Sequence, residues 1–262
     1  MKGKQQKTVL AGFHAVTARL NLNPKTIDEV YVDRSRHDRR MHEMCEKLRA
    51  VGIRPIGADP DRLARLAGDV PHQGIVAVGS ALERTMSFDE LLDSITEKTL
   101  LLILDGVTDP RNFGACLRVA DAAGVQAVIA PLNRSSHVTP AAAKAAAGAE
   151  ESVPVIYVVN LASAIAELRD AGVMVVGTAG ETDRSIYDFD QKRAFAWVLG
   201  AEGDGLRQLT RKRCDALAAI PMMGSVESLN VSVAAGVCLF ESVRQRVGSA
   251  ERKVDNPSRA KF

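Results

Sequence analysis

The chain has 262 residues, 46% of them apolar, and a mean hydropathy near zero, enough to build one large domain or two small ones around a real core. It contains no apolar run of the roughly 18 residues that a membrane-spanning helix needs. A net charge of +2 hides a basic front (14 Lys/Arg against 9 Asp/Glu in residues 1–80), an acidic centre (14 against 21 in 81–243) and a basic end (6 against 2 in 244–262); this asymmetry suits a polyanion partner, and also an ordinary solvated surface.

The start, MKGKQQKTVLAGFHAV, is basic and then briefly apolar. Gly12 and His14 interrupt it and no cleavage pattern follows, so it does not read as a signal peptide. Residues 8–80 form a compact α/β unit with strands expected at 29–33, 53–56 and 74–78 and helices near 36–50 and 60–67. Ser87 and Glu90 make a capping box before Leu91-Leu92, and the domain boundary is placed in a linker at 81–97. From 98 to 248, apolar strands (100–104, 127–130, 153–157, 173–176, 194–199, 216–220) alternate with helices near 113–123, 140–148, 161–171, 205–212 and 229–247. That alternation implies a parallel sheet covered on both faces. Thr139 and Pro140 start the Ala-rich helix. Residues 249–262 are polar and basic and read as a disordered tail. Cys45, Cys116, Cys214 and Cys238 lack Cys-x-x-Cys spacing and read as buried thiols of a reducing cytoplasm.

Three loops follow strands, where open parallel sheets bind ligands. In Asp105-Gly-Val-Thr-Asp-Pro-Arg-Asn-Phe-Gly-Ala-Cys-Leu-Arg118, Asp109-Pro110 makes a turn and Asn112 suits the cap of the next helix. Arg118 lies one turn past Gly114, and helical side chains lean toward the N-terminus, so it can reach back over the bare glycine toward the loop. A structural arginine on a helix face is the competing reading. The second loop, Gly200-Ala-Glu-Gly-Asp-Gly205, permits close backbone–ligand approach and offers the carboxylate of Glu202. It is neither G-x-G-x-x-G nor a phosphate loop with its lysine, and a plain glycine-rich turn is the alternative. The third segment, 220–236, reads as strand, Gly/Ser loop and a helix opened by Ser228 and Asn230, with Leu229, Val233, Val237 and Phe240 at helical spacing. A helix start presents free N–H groups to a polar ligand.

Asp-Pro-x-Asn-x-Gly-Ala-x-x-Arg at 109–118, Leu-Gly-x-Glu-Gly at 199–203 and Ile-Pro-Met-x-Gly-x-x-x-Ser-Leu-Asn-Val-Ser at 220–232 resemble, in order and complete, the three motifs of the SpoU family. These are knotted RNA ribose 2′-O-methyltransferases that use S-adenosylmethionine. Gly12-Phe-His-Ala-Val resembles the start of the ribosomal-protein-like RNA-binding domain of the family's 23S rRNA guanosine methyltransferases, although Ala11-Gly12-Phe13 departs from the usual Tyr-Gly. The resemblance implies a trefoil knot formed by the last strand and helix, which spacing does not reveal, and a homodimer whose partner subunit helps complete each site. It implies that adenosine lies against the backbone at Gly200, Ile220 and Leu229, with Leu199 and Met222 in the apolar wall. It assigns Arg118, Asn112, Glu202, Ser228 and Asn230 to catalysis and positioning. The family proposes Arg118 as the base; an arginine stays protonated in proteins, so stabilising the developing alkoxide or holding a phosphate is the sounder role.

The implied substrate is a guanosine in the 23S rRNA hairpin that holds the P-site tRNA end. The alternatives are another rRNA nucleotide, a tRNA, or RNA binding without catalysis. A nicotinamide dehydrogenase is a poor fit, because the first βα turn lacks G-x-G-x-x-G. No histidine spacing suggests a metal. His14 either touches RNA or serves the core; Arg34, Arg36, Arg39 and Arg40 suit phosphate contacts or a solvated face; Arg134-Ser-Ser136 offers another phosphate contact. The few aromatics make no base-stacking platform, so RNA would be read by shape and by a splayed-out nucleotide.

Overall fold

The computed structural model describes residues 7–68, 70–80 and 86–247; the expected tail and part of the expected linker lie outside them. Two sheets organise the chain. The first has strands β1 (Lys7–Ala11), β2 (Ile27–Asp33), β3 (Ile56–Ala58) and β4 (Ile75–Ser80) in the order β1-β4-β2-β3. β4 runs antiparallel to both neighbours, and β3 runs parallel to β2. Helices α1 (Phe13–Leu22) and α2 (Arg39–Ala50) cover one face around Phe13, Val16, Val30 and Leu48, and α3 (Pro60–Ala67) covers the other around Leu63.

Two expectations shift here. The strand expected at 53–56 begins only at Ile56, because Ile53 N–H bonds back to Leu48 O at the end of α2 and Pro55 has no N–H to give a ladder. The opening apolar stretch, to which the sequence pattern assigns no element, supplies β1 and α1. Gly12, at φ 91°, makes the corner between them.

The second sheet is six-stranded and wholly parallel: β5 (Leu100–Asp105), β6 (Ala127–Pro131), β7 (Val155–Val158), β8 (Met174–Thr178), β9 (Phe195–Gly200) and β10 (Ala216–Ala218), ordered β10-β8-β9-β5-β6-β7. Both faces are buried. Leu100, Leu102 and Leu104 enter one core with Trp197, Phe113 and Leu239, while Leu101 and Ile103 enter the other with Leu91, Ile165 and Val198. This two-sided burial explains the unbroken apolar strand sequences. The first core is closed by α5 (Pro110–Ala122), α6 (Pro140–Ala146) and α9 (Val231–Arg246), and the second by α4 (Phe88–Asp93) and α7 (Leu161–Asp170). Short α8 (Gln208–Arg213) precedes β10. α4 has the capping box of Ser87 and Glu90 and, although it falls in the expected linker, its Leu91 is fully buried against the parallel sheet. From β10 at one edge the chain returns in α9 to pack on α5 and β9, a path consistent with the threading that a knot requires. No helix among the described residues is long and apolar enough to cross a membrane.

The two units meet through a buried ion pair. Arg19 of α1, fully buried, donates from Nε to Glu151 Oε2 at 2.6 Å and from Nη1 to Ser80 O at 2.7 Å. Its Nη2 lies 2.5 Å from Glu151 Oε2 without hydrogen-bond alignment. A Cβ on Gly148 would stand 3.1 Å from Ala18 and 3.2 Å from His14 O, so the joint is closely packed.

Candidate active site

β5 and β9 are neighbours in register, with Asp105 opposite Gly200. The loops that leave their carboxyl ends therefore start side by side, and the strand order reverses about this pair. The first loop turns into α5 with Asp109, not Asn112, as its cap: Asp109 Oδ1 accepts from Arg111 N at 2.6 Å and Asn112 N at 3.0 Å, and Pro110 suits the first helical position. Freed from capping, the Asn112 amide donates to Glu202 Oε1 at 3.1 Å. Asn230, the cap of α9, donates from Nδ2 to the same oxygen at 2.6 Å and lies 2.9 Å from Asn112 Oδ1, while its own Oδ1 accepts from Ser232 N and Oγ. Val231 N–H adds a longer contact of 3.4 Å to Glu202. Three residues from three separate motifs are thus locked around one carboxylate oxygen, where opposed dipoles and charge-assisted bonds fix each rotamer.

On one side of this cluster lies a cleft of about 880 Å³, lined by Leu199, Gly200, Ile220, Met222, Ser228 and Leu229 among others. Its size falls in the usual range for small-ligand sites. Its walls combine apolar side chains such as Leu199, Ile220, Met222 and Leu229 with the charged Glu202, Asp204 and Glu227. Glu181 and Arg211 form an ion pair on its rim. On the other side is a second cavity of about 600 Å³, lined by Asp105, Asp109, Asn112, Arg134, Asp204 and Arg207 together with Glu202. The two cavities share the wall formed by Ala201, Glu202, Asp204, Gly205 and Val231.

Several expectations need correction. The missing side chain of Gly200 makes room for the loop itself, since a Cβ there would lie 2.1 Å from Gly205 carbonyl carbon. Gly114 likewise serves packing: its Cβ would lie 2.1 Å from Ala142 O, so α6 crosses α5 at that point. Arg118, four residues on and hence on the same face, does not reach back over Gly114 to the first loop. It is exposed, lines neither cavity, and makes no hydrogen bond or ion pair among the described residues. Its charge is felt by His14 of α1, which is held below the usual imidazole range by burial and then by the charges of Arg40 and Arg118. Ser228 faces the cleft and not the amide cluster.

The other basic residues are sorted by their partners. Arg39 pairs with Glu43 and Arg36 with Asp38, while the Arg40 guanidinium lies 4.4 Å from the Phe13 ring centre and 3.5 Å from His14 Nε2. Ser135 and Ser136 donate their hydroxyls to Val107 O and His137 O. Burial pushes the Cys116 and Cys214 thiols up to about 12 and the Cys238 thiol higher still, so all three stay protonated and unreactive. Sequence reasoning missed Asp105, Arg207 and the rim pair of Glu181 and Arg211. Asp105, the last residue of a central strand at its carboxyl end, was detectable from position alone.

A parallel α/β sheet whose crevice loops carry this polar cluster between two cavities, joined to a small α/β unit with a basic front, is the arrangement of an α/β enzyme with its ligands at the carboxyl ends of the strands. Residues 99–240 match the model of the SpoU rRNA Methylase family, and residues 9–85 match that of the RNA 2′-O ribose methyltransferase substrate-binding domain. The chain belongs to the SpoU rRNA methylase family. It is 56% identical over 238 residues (91% of this chain, 96% of the relative) to the 23S rRNA (guanosine-2′-O-)-methyltransferase RlmB of Ralstonia nicotianae. It is 52% identical over 240 residues to RlmB of Bordetella pertussis, covering 92% of this chain and 98% of that protein. Among solved structures it resembles the SpoU methyltransferase AviRb of Streptomyces viridochromogenes in complex with AdoMet, with a TM-score of 0.71, 27% identity and coverage of 92% and 91%.

Proposed function

We propose that the chain methylates the ribose 2′-oxygen of a guanosine in 23S rRNA, with S-adenosylmethionine as donor. The observation that carries this reading is the convergence of Asn112, Glu202 and Asn230 on the wall between two cavities. A donor in one cavity and a nucleotide in the other would meet there. When bound, S-adenosylmethionine would supply a sulfonium methyl for the ribose oxygen, the carbon–sulfur pair returning to sulfur and the 2′-hydroxyl proton leaving to solvent. Gly200, Ile220 and Leu229 present backbone groups and an apolar wall to its adenosine, and Ser228 adds a hydroxyl to the same cleft. Asn112, Glu202 and Asn230 hold the ribose in line with the methyl, and that positioning supplies much of the rate. Arg118 stabilises the developing alkoxide or holds the adjacent phosphate, without giving up its own proton.

Arg118 is exposed and lines neither cavity, which fits a homodimer in which one protomer's Arg118 serves its partner's cofactor cleft. Val233 and Phe240, seven residues apart on α9 and both half-exposed, provide an apolar stripe for that contact. Residues 1–80 grip the RNA, residues 98–248 carry the transfer, 81–97 join them, and 249–262 add basic charge. The setting is the cytoplasm, where ribosomal RNA is modified. Calorimetry checks the donor: S-adenosylmethionine binds and NAD does not, whereas the reverse result defeats the reading.

A further inference from the structure

The second cavity contains an unusual carboxylate. Asp105 has a fully buried side chain; its Oδ2 accepts from Arg207 N at 2.9 Å, while Oδ1 has no hydrogen-bond partner and faces Arg207 Nε at 3.5 Å. A buried carboxylate oxygen left so is costly, and its effect is to hold the Arg207 side chain against the cavity wall. Gly106 makes room for it: at φ 86°, its bare α-carbon has Arg207 Nη2 3.3 Å from the position a Cβ would take. Arg134 O, on a residue at φ 60°, lies 3.4 Å from the same Nη2. With Nε turned to Asp105 and one Nη2 hydrogen to Arg134 O, Nη1 and the second Nη2 hydrogen have no partner among the described residues of the cavity lining.

The charge around those groups selects the ligand. Asp109, Glu202 and Asp204 also line the cavity, so with Asp105 four carboxylates stand against the two guanidiniums of Arg134 and Arg207. That excess repels a phosphate. It favours a neutral group with acceptors for an arginine and N–H donors for carboxylates. Among the four bases, guanine combines paired acceptors at O6 and N7 with donors at N1–H and the 2-amino group. Arginine bidentate to O6 and N7 is the commonest specific base contact, and an extruded base is read in a pocket of this kind.

We propose that this cavity receives the guanine of the target nucleotide, with Arg207 reading O6 and N7, Asp105 positioning Arg207, and the rim carboxylates of Asp109 and Asp204 facing the donor edge. The inference rests on the methyl-transfer reading and adds the residues that select the base. Its test compares kcat/KM on two versions of the 23S rRNA target hairpin, one with guanosine and one with 7-deazaguanosine at the methylated position. The wild-type protein should lose about tenfold on the deaza substrate. Arg207→Ala and Arg207→Lys should both be slower on guanosine and nearly indifferent to the N7 change. Asp105→Asn should reduce the discrimination while leaving S-adenosylmethionine affinity unchanged. If Arg207→Ala keeps the wild-type ratio, or Arg207→Lys restores it, or the wild type does not discriminate, Arg207 does not read the base. Absence of any methyl transfer to guanosine by the wild type would instead remove the reading beneath it.

Discussion

Replacing Glu151 with glutamine tests whether the RNA-gripping unit is fixed to the methyltransferase unit by the Arg19–Glu151 pair. The two side chains are 1% and 11% exposed, so removing the carboxylate charge leaves a cation stranded in the joint. Breaking a buried pair costs about 3–5 kcal/mol. The lower end applies here, because Arg19 retains Ser80 O and Thr26 Oγ1 as partners and the amide oxygen of the introduced glutamine can still accept. A loss of about 3 kcal/mol in a unit of this size lowers Tm by roughly 6–12 °C, which scanning calorimetry measures directly. The same loosening should raise KM for RNA several-fold without changing S-adenosylmethionine affinity. Arg19→Met combined with Glu151→Met should recover most of the stability, since an apolar pair leaves no charge unpaired. A Tm change below about 2 °C with an unchanged KM for RNA would refute the claim that this pair sets the joint.

The neighbouring Glu150 gives a pH dependence with a definite sign. Burial, and then the charge of Glu151, raise its carboxyl to about 7 from a usual 4.5. Its folded value exceeds its unfolded one, so its stabilising effect is complete below the unfolded pKa and is lost as pH rises through about 7. Glu150→Gln should therefore match the wild type in Tm at acidic pH and exceed it near pH 8, as followed by calorimetry across that range. Arg118→Ala should cost several orders of magnitude in kcat while leaving cofactor affinity and Tm almost unchanged, since the side chain is exposed and unpaired among the described residues. Near-normal turnover would take Arg118 out of the catalytic assignment. Mixed dimers of Arg118→Ala with Glu202→Ala protomers should recover about a quarter to a half of wild-type turnover if the arginine acts across the interface.

The methyltransferase unit is legible in the sequence because burial on both sheet faces writes itself as uninterrupted apolar strands, from Leu100–Leu104 to Ala194–Leu199. The short first unit is less so. Its β1 is a five-residue strand in a basic segment, and α1 owes its docking to a buried Arg19 that no periodicity marks. The site divides in the same way. Asn112, Glu202 and Asn230 stand out as polar residues on loops after strands, but their meeting at one oxygen is a tertiary fact. The glycine at 114 reads as an opening for a long side chain, whereas backbone from α6 fills that space, and the missing side chain of Gly200 admits the backbone of Gly205. The sequence pattern bends Arg118 back toward the first loop, and the helix phase that instead puts it beside His14 depends on where Asp109 and Pro110 start α5.

The central claim is the transfer itself, and the most direct measurement is methylation of unmodified 23S rRNA by the purified full chain with radiolabelled S-adenosylmethionine, followed by mapping of the product. One methyl per rRNA, resistant to alkaline cleavage at a single guanosine in the P-site hairpin, is the predicted result. Label on tRNA, on a base instead of a ribose, or nowhere on the RNA would contradict it.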